Sequence, residues 1–130
     1  MKEPQTELDP LLEPLRDYVL GKPGAEETFP FGPEVMVMKV GGKMFALIGW
    51  ENVPVTINLK CDPERAIELR ELYSGVAPGY HMNKKLWNTV TMDGSVDLDF
   101  VCELIDHSYD LILASLPRKL QAEIRNLRDD

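Results

Sequence analysis

The 130-residue sequence predicts a single α+β domain: a five-stranded, mainly antiparallel sheet in α-β-β-β-α-β-β-α(-α) order, with helices on one face. Three observations carry this. Between residues 34 and 60, β-patterned runs follow one another through turns too tight for a crossover, which favours antiparallel pairing. Helical periodicity flanks those runs on both sides. Tyr73–Ser95 then packs two glycine/proline turns and a Trp-Asn-Thr strand into one connection between helices.

Leu8–Leu20 reads as the first helix, because Leu12, Leu15 and Val19 recur at spacings of three and four and Gly21 stands where a helix stops. Pro10 and Pro14 are each tolerated in a first turn, so the start is either of two positions. If it is Pro14, then residues 1–14 form a partly ordered arm and 15–130 the domain. Lys22–Pro33 is expected to be a loop, broken by Pro23-Gly24, Phe29-Pro30 and Gly32-Pro33.

Three strands follow. Glu34–Val40 carries a continuous apolar run, Gly41-Gly42 closes a two-residue hairpin, and Lys43–Trp50 returns. In Val53–Lys60, Val55, Ile57 and Leu59 alternate with Thr56, Asn58 and Lys60, so one face is buried and the other partly wet. Asp62-Pro63 supplies an N-cap and a first-turn proline for the next helix. Its expected buried stripe is Ala66, Leu69 and Leu72, flanked by Ile67 and Tyr73, and Ser74-Gly75 ends it. Tyr80–Met82 reads as a short strand or an extended piece and Leu86–Met92 as a full strand. After Asp93-Gly94-Ser95, a long amphipathic helix carries Leu98, Val101, Leu104, Ile105, Ser108 and Ile112 on one side. Pro117 interrupts it, and Arg118–Arg128 continues as a separate helix.

Composition narrows the function. The chain is 44% hydrophobic and 28% charged, as a globular protein is, and no apolar run approaches the ~20 residues of a membrane helix. Neither a secretory signal nor a CxxC pair is visible, so a reduced, cytoplasmic protein with inert Cys61 and Cys102 is expected. The net charge of −8 argues against a generic binder of nucleic acid or anionic membrane. Its distribution is uneven: residues 1–38 sum to −5, residues 39–91 to +2, and residues 92–130 to −5. The mildly basic middle is where a phosphate-contacting face would lie.

Several separated motifs resemble one family. Residues 22–32, KPGAEETFPFG, look like the start of the MmcQ/YjbR family. His81-Met82-Asn83-Lys84-Lys85-Leu86-Trp87-Asn88-Thr89-Val90, followed by Asp93-Gly94-Ser95, resembles its central signature. His107-Ser108-Tyr109-Asp110 and Leu116-Pro117 resemble its C-terminal helix and break. The resemblance runs from Leu15 to the C-terminus. It implies a CyaY-like, secretion-chaperone-like fold and carries a "double wing" DNA-binding label. The family often has His before the Trp, where this chain has Leu86.

The candidate nucleic-acid contacts are Lys39, Lys43 and Lys60 around the hairpin strands, with Lys84, Lys85 and Trp87 in the signature. Lysines would hold phosphates and Trp87 or Tyr80 would stack on a base. His81, Asn83 and Asn88 complete a polar cluster. A structural role competes with this: Trp87 anchoring the loop on the sheet, and His81 and Asn83 bonding turn backbone, is the commoner use of such residues. No ligand pair has zinc spacing, and His107/Asp110 at i,i+3 would be half a site at most, so no metal is expected. No nucleophile, base and oxyanion donors come together, and no cofactor motif is present, so a non-enzymatic protein is expected. The sequence therefore points to weak, salt-sensitive DNA binding. The alternative is a chaperone-like module that binds a protein or ligand through a sheet face or edge, its acidic ends suiting a basic partner.

Overall fold

The computed structural model describes residues 7–79 and 82–127. Four helices and six strands follow in the order α1 (Leu12–Leu20), β1 (Glu26–Thr28), β2 (Met36–Val40), β3 (Lys43–Gly49), β4 (Thr56–Lys60), α2 (Pro63–Leu72), β5 (Val76–Pro78), β6 (Trp87–Thr91), α3 (Leu98–Ala114) and α4 (Arg118–Asn126). All strands join one antiparallel sheet, ordered β1-β2-β3-β4-β6-β5. The α+β class, the antiparallel sheet and the one-sided helices are as the sequence predicts.

Two expectations about the strands need correction. The sheet has six strands, not five, because β1 forms inside the stretch expected to be a loop. Glu26-Glu27-Thr28 has no β pattern of its own; the register of β2 recruits it, with the Thr28 hydroxyl donating to the Val37 carbonyl at 2.7 Å. The expected piece at Tyr80–Met82 falls mostly outside the described residues; the short strand after α2 is Val76–Pro78, ahead of the Pro-Gly turn. Its last residue, Pro78, has no N–H to give, and an edge strand is where that is tolerated.

α1 begins at Leu12, inside the expected arm. Asp9 fixes that start: its carboxylate accepts from Leu11 N–H at 3.0 Å and from the buried Val55 N–H at 2.8 Å. Leu12, Leu15 and Val19 then face the core, as their spacing requires. In α2 only Ala66 and Leu69 are buried; Leu72, expected on that stripe, is 71% exposed. The helix ends there and Tyr73 instead turns in to pack against Phe100, ring centroids 5.5 Å apart.

The main core lies between the sheet and α3, whose Val101, Leu104, Ile105, Ser108, Tyr109, Ile112 and Leu113 are buried. The β2–β3 register shifts at Met38/Lys39, which lets Phe45 bulge toward the helices and meet Tyr109 edge-on at 5.2 Å. The Ser108 hydroxyl fastens this irregularity. It donates to Phe45 C=O at 2.6 Å and accepts from Lys60 N–H at 3.0 Å, so α3 holds both the bulge and the end of β4. At the hairpin, Gly41 and Gly42 both have positive φ, 58° and 83°. Gly41 is also crowded: a Cβ there would lie 2.5 Å from Leu116 Cδ1.

Candidate nucleic-acid interface

Antiparallel pairing brings three connections to one end of the sheet: the β2–β3 hairpin, the exit of β4 and the turn entering β6. Lys39, Lys43, Lys60, Lys84 and Lys85 all belong to those segments. Arg118 and Lys119, which the sequence reading did not single out, follow Leu116 against the same hairpin. The opposite end carries Glu34, Glu51, Asp93 and Asp97 in its connections. A chain with net charge −8 thus has a basic end and an acidic end.

The lysines do not all face one way. Alternation puts Lys39 and Lys60 on the face that carries no helix, with Lys39 opposite Met44 and Glu26, and Lys60 opposite Trp87. Lys43 turns to the helical side, its ammonium 3.3 Å from the Ser115 hydroxyl. Lys84 and Lys85 are exposed in the turn before β6. Arg70 of α2 holds that turn: it donates to the Lys84 carbonyl and, at 2.6 Å, to Asn88 Oδ1.

Trp87 does not present a stacking face. It is 9% exposed, packed with Val37 and Leu47 and flanked by Met44, Met82 and Leu86. Burial of a large aromatic on the otherwise open face outweighs leaving it for a base. The expected polar cluster also separates. Asn88 is buried on the helical face, where its amide donates to Ala66 C=O at 3.3 Å. Asn83 stays in the turn and its Oδ1 accepts from Lys85 N–H at 3.0 Å. His81 lies outside the described residues, as does Tyr80.

The titratable groups elsewhere explain themselves structurally. His107 Nε2 accepts from Asp62 N–H at 3.3 Å, and burial, with Arg65 nearby, lowers its pKa. Burial pushes both thiols, Cys61 and Cys102, above the ordinary cysteine value, away from thiolate chemistry. Among the described residues, no three His, Cys, Asp or Glu side chains converge as metal ligands do, and no helix is long and apolar enough to cross a membrane. Tyr18 and Lys22 both reach Asp106 at 2.7 Å, tying α1 to α3, and that hydrogen bond to Asp106 raises the Tyr18 phenol to about 12.

Residues 20–111 match the YjbR family model. The chain belongs to the YjbR family. The YjbR protein of Escherichia coli K12 is 37% identical over 114 residues, which cover 85% of this chain and 96% of that one. The YbdF protein of Escherichia coli O157:H7 is 36% identical over 115 residues, covering 88% and 94%. Both relatives are described as uncharacterized. Among solved structures, Deinococcus radiodurans protein DR2400 is similar with a TM-score of 0.82 and 39% identity, covering 87% of this chain and 86% of that one. A Pseudomonas syringae protein is similar with a TM-score of 0.66 and 28% identity, covering 77% and 97%. The YjbR assignment agrees with the family resemblance of the signature around Trp87, and the fold is shared with these structures.

Proposed function

We propose that this YjbR-family chain is a non-enzymatic binder of nucleic acid that contacts the phosphate backbone with the basic end of its sheet. The observation that carries this reading is the gathering of Lys39, Lys60, Lys84 and Lys85 at the one end of an otherwise acidic molecule. Arg70 restrains the turn that bears two of them, so less side-chain and loop freedom is lost on binding. Lys43 is a weaker candidate than the sequence suggested because Ser115 engages it. Glu26 opposite Lys39 also reduces that lysine's contribution. Such contacts hold a backbone without reading sequence. A cytoplasmic setting, where DNA is accessible, fits this use.

Fluorescence anisotropy with a labelled duplex at low salt tests the proposal. Binding at micromolar protein is expected, with log K falling against log salt at a slope of about −3 for three to four phosphates neutralised. Replacing Lys60, Lys84 and Lys85 by Gln should remove most of that slope. Absence of binding at low salt, or a slope untouched by the triple replacement, refutes it.

A further inference from the structure

The helix-free face also holds a depression of about 330 Å³, in the size range of small-ligand sites, which runs from Asn58 in the middle of the sheet to Gly49 and Thr56 at the end opposite the lysine-bearing connections. Gly49 deepens it, since a side chain there would run into Asn52 and Thr56. Val35 and Leu47 give it apolar walls. Its polar groups are amides and hydroxyls, with no ionisable side chain among the lining residues. The Thr89 hydroxyl donates to Asn58 Oδ1, so Asn58 offers its amide N–H groups. Asn52 Nδ2 donates to the Thr56 hydroxyl at 3.0 Å, so Asn52 offers its carbonyl oxygen. Donor and acceptor therefore line one uncharged hollow.

Lys60 stands two residues beyond Asn58 on the same strand and the same face, about 7 Å away along the chain. That is the span of a nucleoside from its base to its 5′-phosphate. We propose that the depression holds one unpaired nucleobase, its hydrogen-bonding edge on Asn58 and Asn52, its ring against Leu47 and Val35, and its phosphate on Lys60. A fatty chain would leave the amide groups unpaired, and a divalent cation would find no carboxylate, so neither fits the donor set. The inference rests on the nucleic-acid reading above and adds to it a preference for single strands.

The test is an NMR titration of the ¹⁵N,¹³C-labelled chain with each of four nucleoside 5′-monophosphates, with inorganic phosphate, and with a short duplex. The monophosphates are expected to shift the Asn58 and Asn52 side-chain amides and the Leu47 and Val35 methyls, and inorganic phosphate to shift none of these. Asn58→Ala should weaken the best monophosphate about tenfold or more and leave duplex affinity within twofold. Asn52→Leu, in an exposed connection, gives the same direction without a strand substitution. A monophosphate response at Asn58 without duplex binding supports this site and overturns the backbone reading. Lysine-dependent duplex binding without that response does the opposite. Identical shifts from phosphate and monophosphates, or wild-type binding by both variants, also overturn the site.

Discussion

Ser108→Ala removes a single oxygen at the point where α3 fastens the sheet, and its cost can be worked from the geometry. Ser108 is fully buried, and its hydroxyl satisfies two backbone groups: the Phe45 carbonyl at 2.6 Å and the Lys60 N–H at 3.0 Å. Leaving a buried polar group without a partner costs about 1–3 kcal/mol. The two together give about 2–4 kcal/mol, with some relief because Lys60 stands at a strand end, half-buried. For a domain of this size that corresponds to a fall in Tm of roughly 8–16 °C. Urea unfolding followed by circular dichroism, with the m-value unchanged, measures it directly. Amide exchange supplies a local check, because the Lys60 N–H should exchange faster in the variant even under native conditions. Ser74→Ala, at an exposed position, is the control and should be silent. A loss below about 0.5 kcal/mol, with Lys60 protection intact, would refute the argument that this hydroxyl carries both groups.

Other perturbations separate the remaining structural claims. Gly41→Ala should cost more than Gly42→Ala in urea melts: both have positive φ, worth about 1–2 kcal/mol, but only the first collides with Leu116. Equal losses would remove the crowding argument. The Tyr18 phenol should titrate near 12, seen as the alkaline absorbance lost in Tyr18→Phe. Its folded pKa lies above the ordinary tyrosine value of 10.0, so its contribution to stability is present below pH 10 and is lost as pH rises through the folded value. A Tyr18 titration at 10 would sink the Asp106 hydrogen bond. Arg70→Met should cost about 1.5–3 kcal/mol, since Asn88 loses a charged donor on the buried face, and should weaken duplex binding without removing a lysine. Unchanged binding would mean that the Lys84–Lys85 turn needs no anchor.

Much of the fold is written locally. Gly41-Gly42 dictates its hairpin, Asp62-Pro63 starts α2, Pro117 separates α3 from α4, and the Val55–Lys60 alternation settles which side of β4 is buried. What escaped was set by distant partners. Glu26-Glu27-Thr28 becomes a strand only because β2 offers it an edge. Spacing alone puts Leu72 inward with Ala66 and Leu69, but α2 ends at that residue and Tyr73 takes the inward place against Phe100. The same division holds at the site. The lysines could be named from the sequence, but their meeting at one end follows from the strand order. Trp87 could be picked out, yet its burial depends on Val37 and Leu47 from other strands. Asn58 and Thr56 were legible as wet-face residues, while their partners Thr89 and Asn52 were visible only in three dimensions.

The outermost strands settle how anything large can approach this protein. β1 and β5 are three residues each, one bearing Glu26 and Glu27 and the other ending at Pro78. Short borders with charge on one side and a missing N–H on the other are poor templates for a further strand. An incoming chain finds little to zip onto at either border, and copies of the domain have little means of stacking into a continuous ribbon. Under the reading proposed above, a partner would meet the helix-free side or the basic tip, and borders of this kind disfavour edge-to-edge aggregation of a half-open sheet.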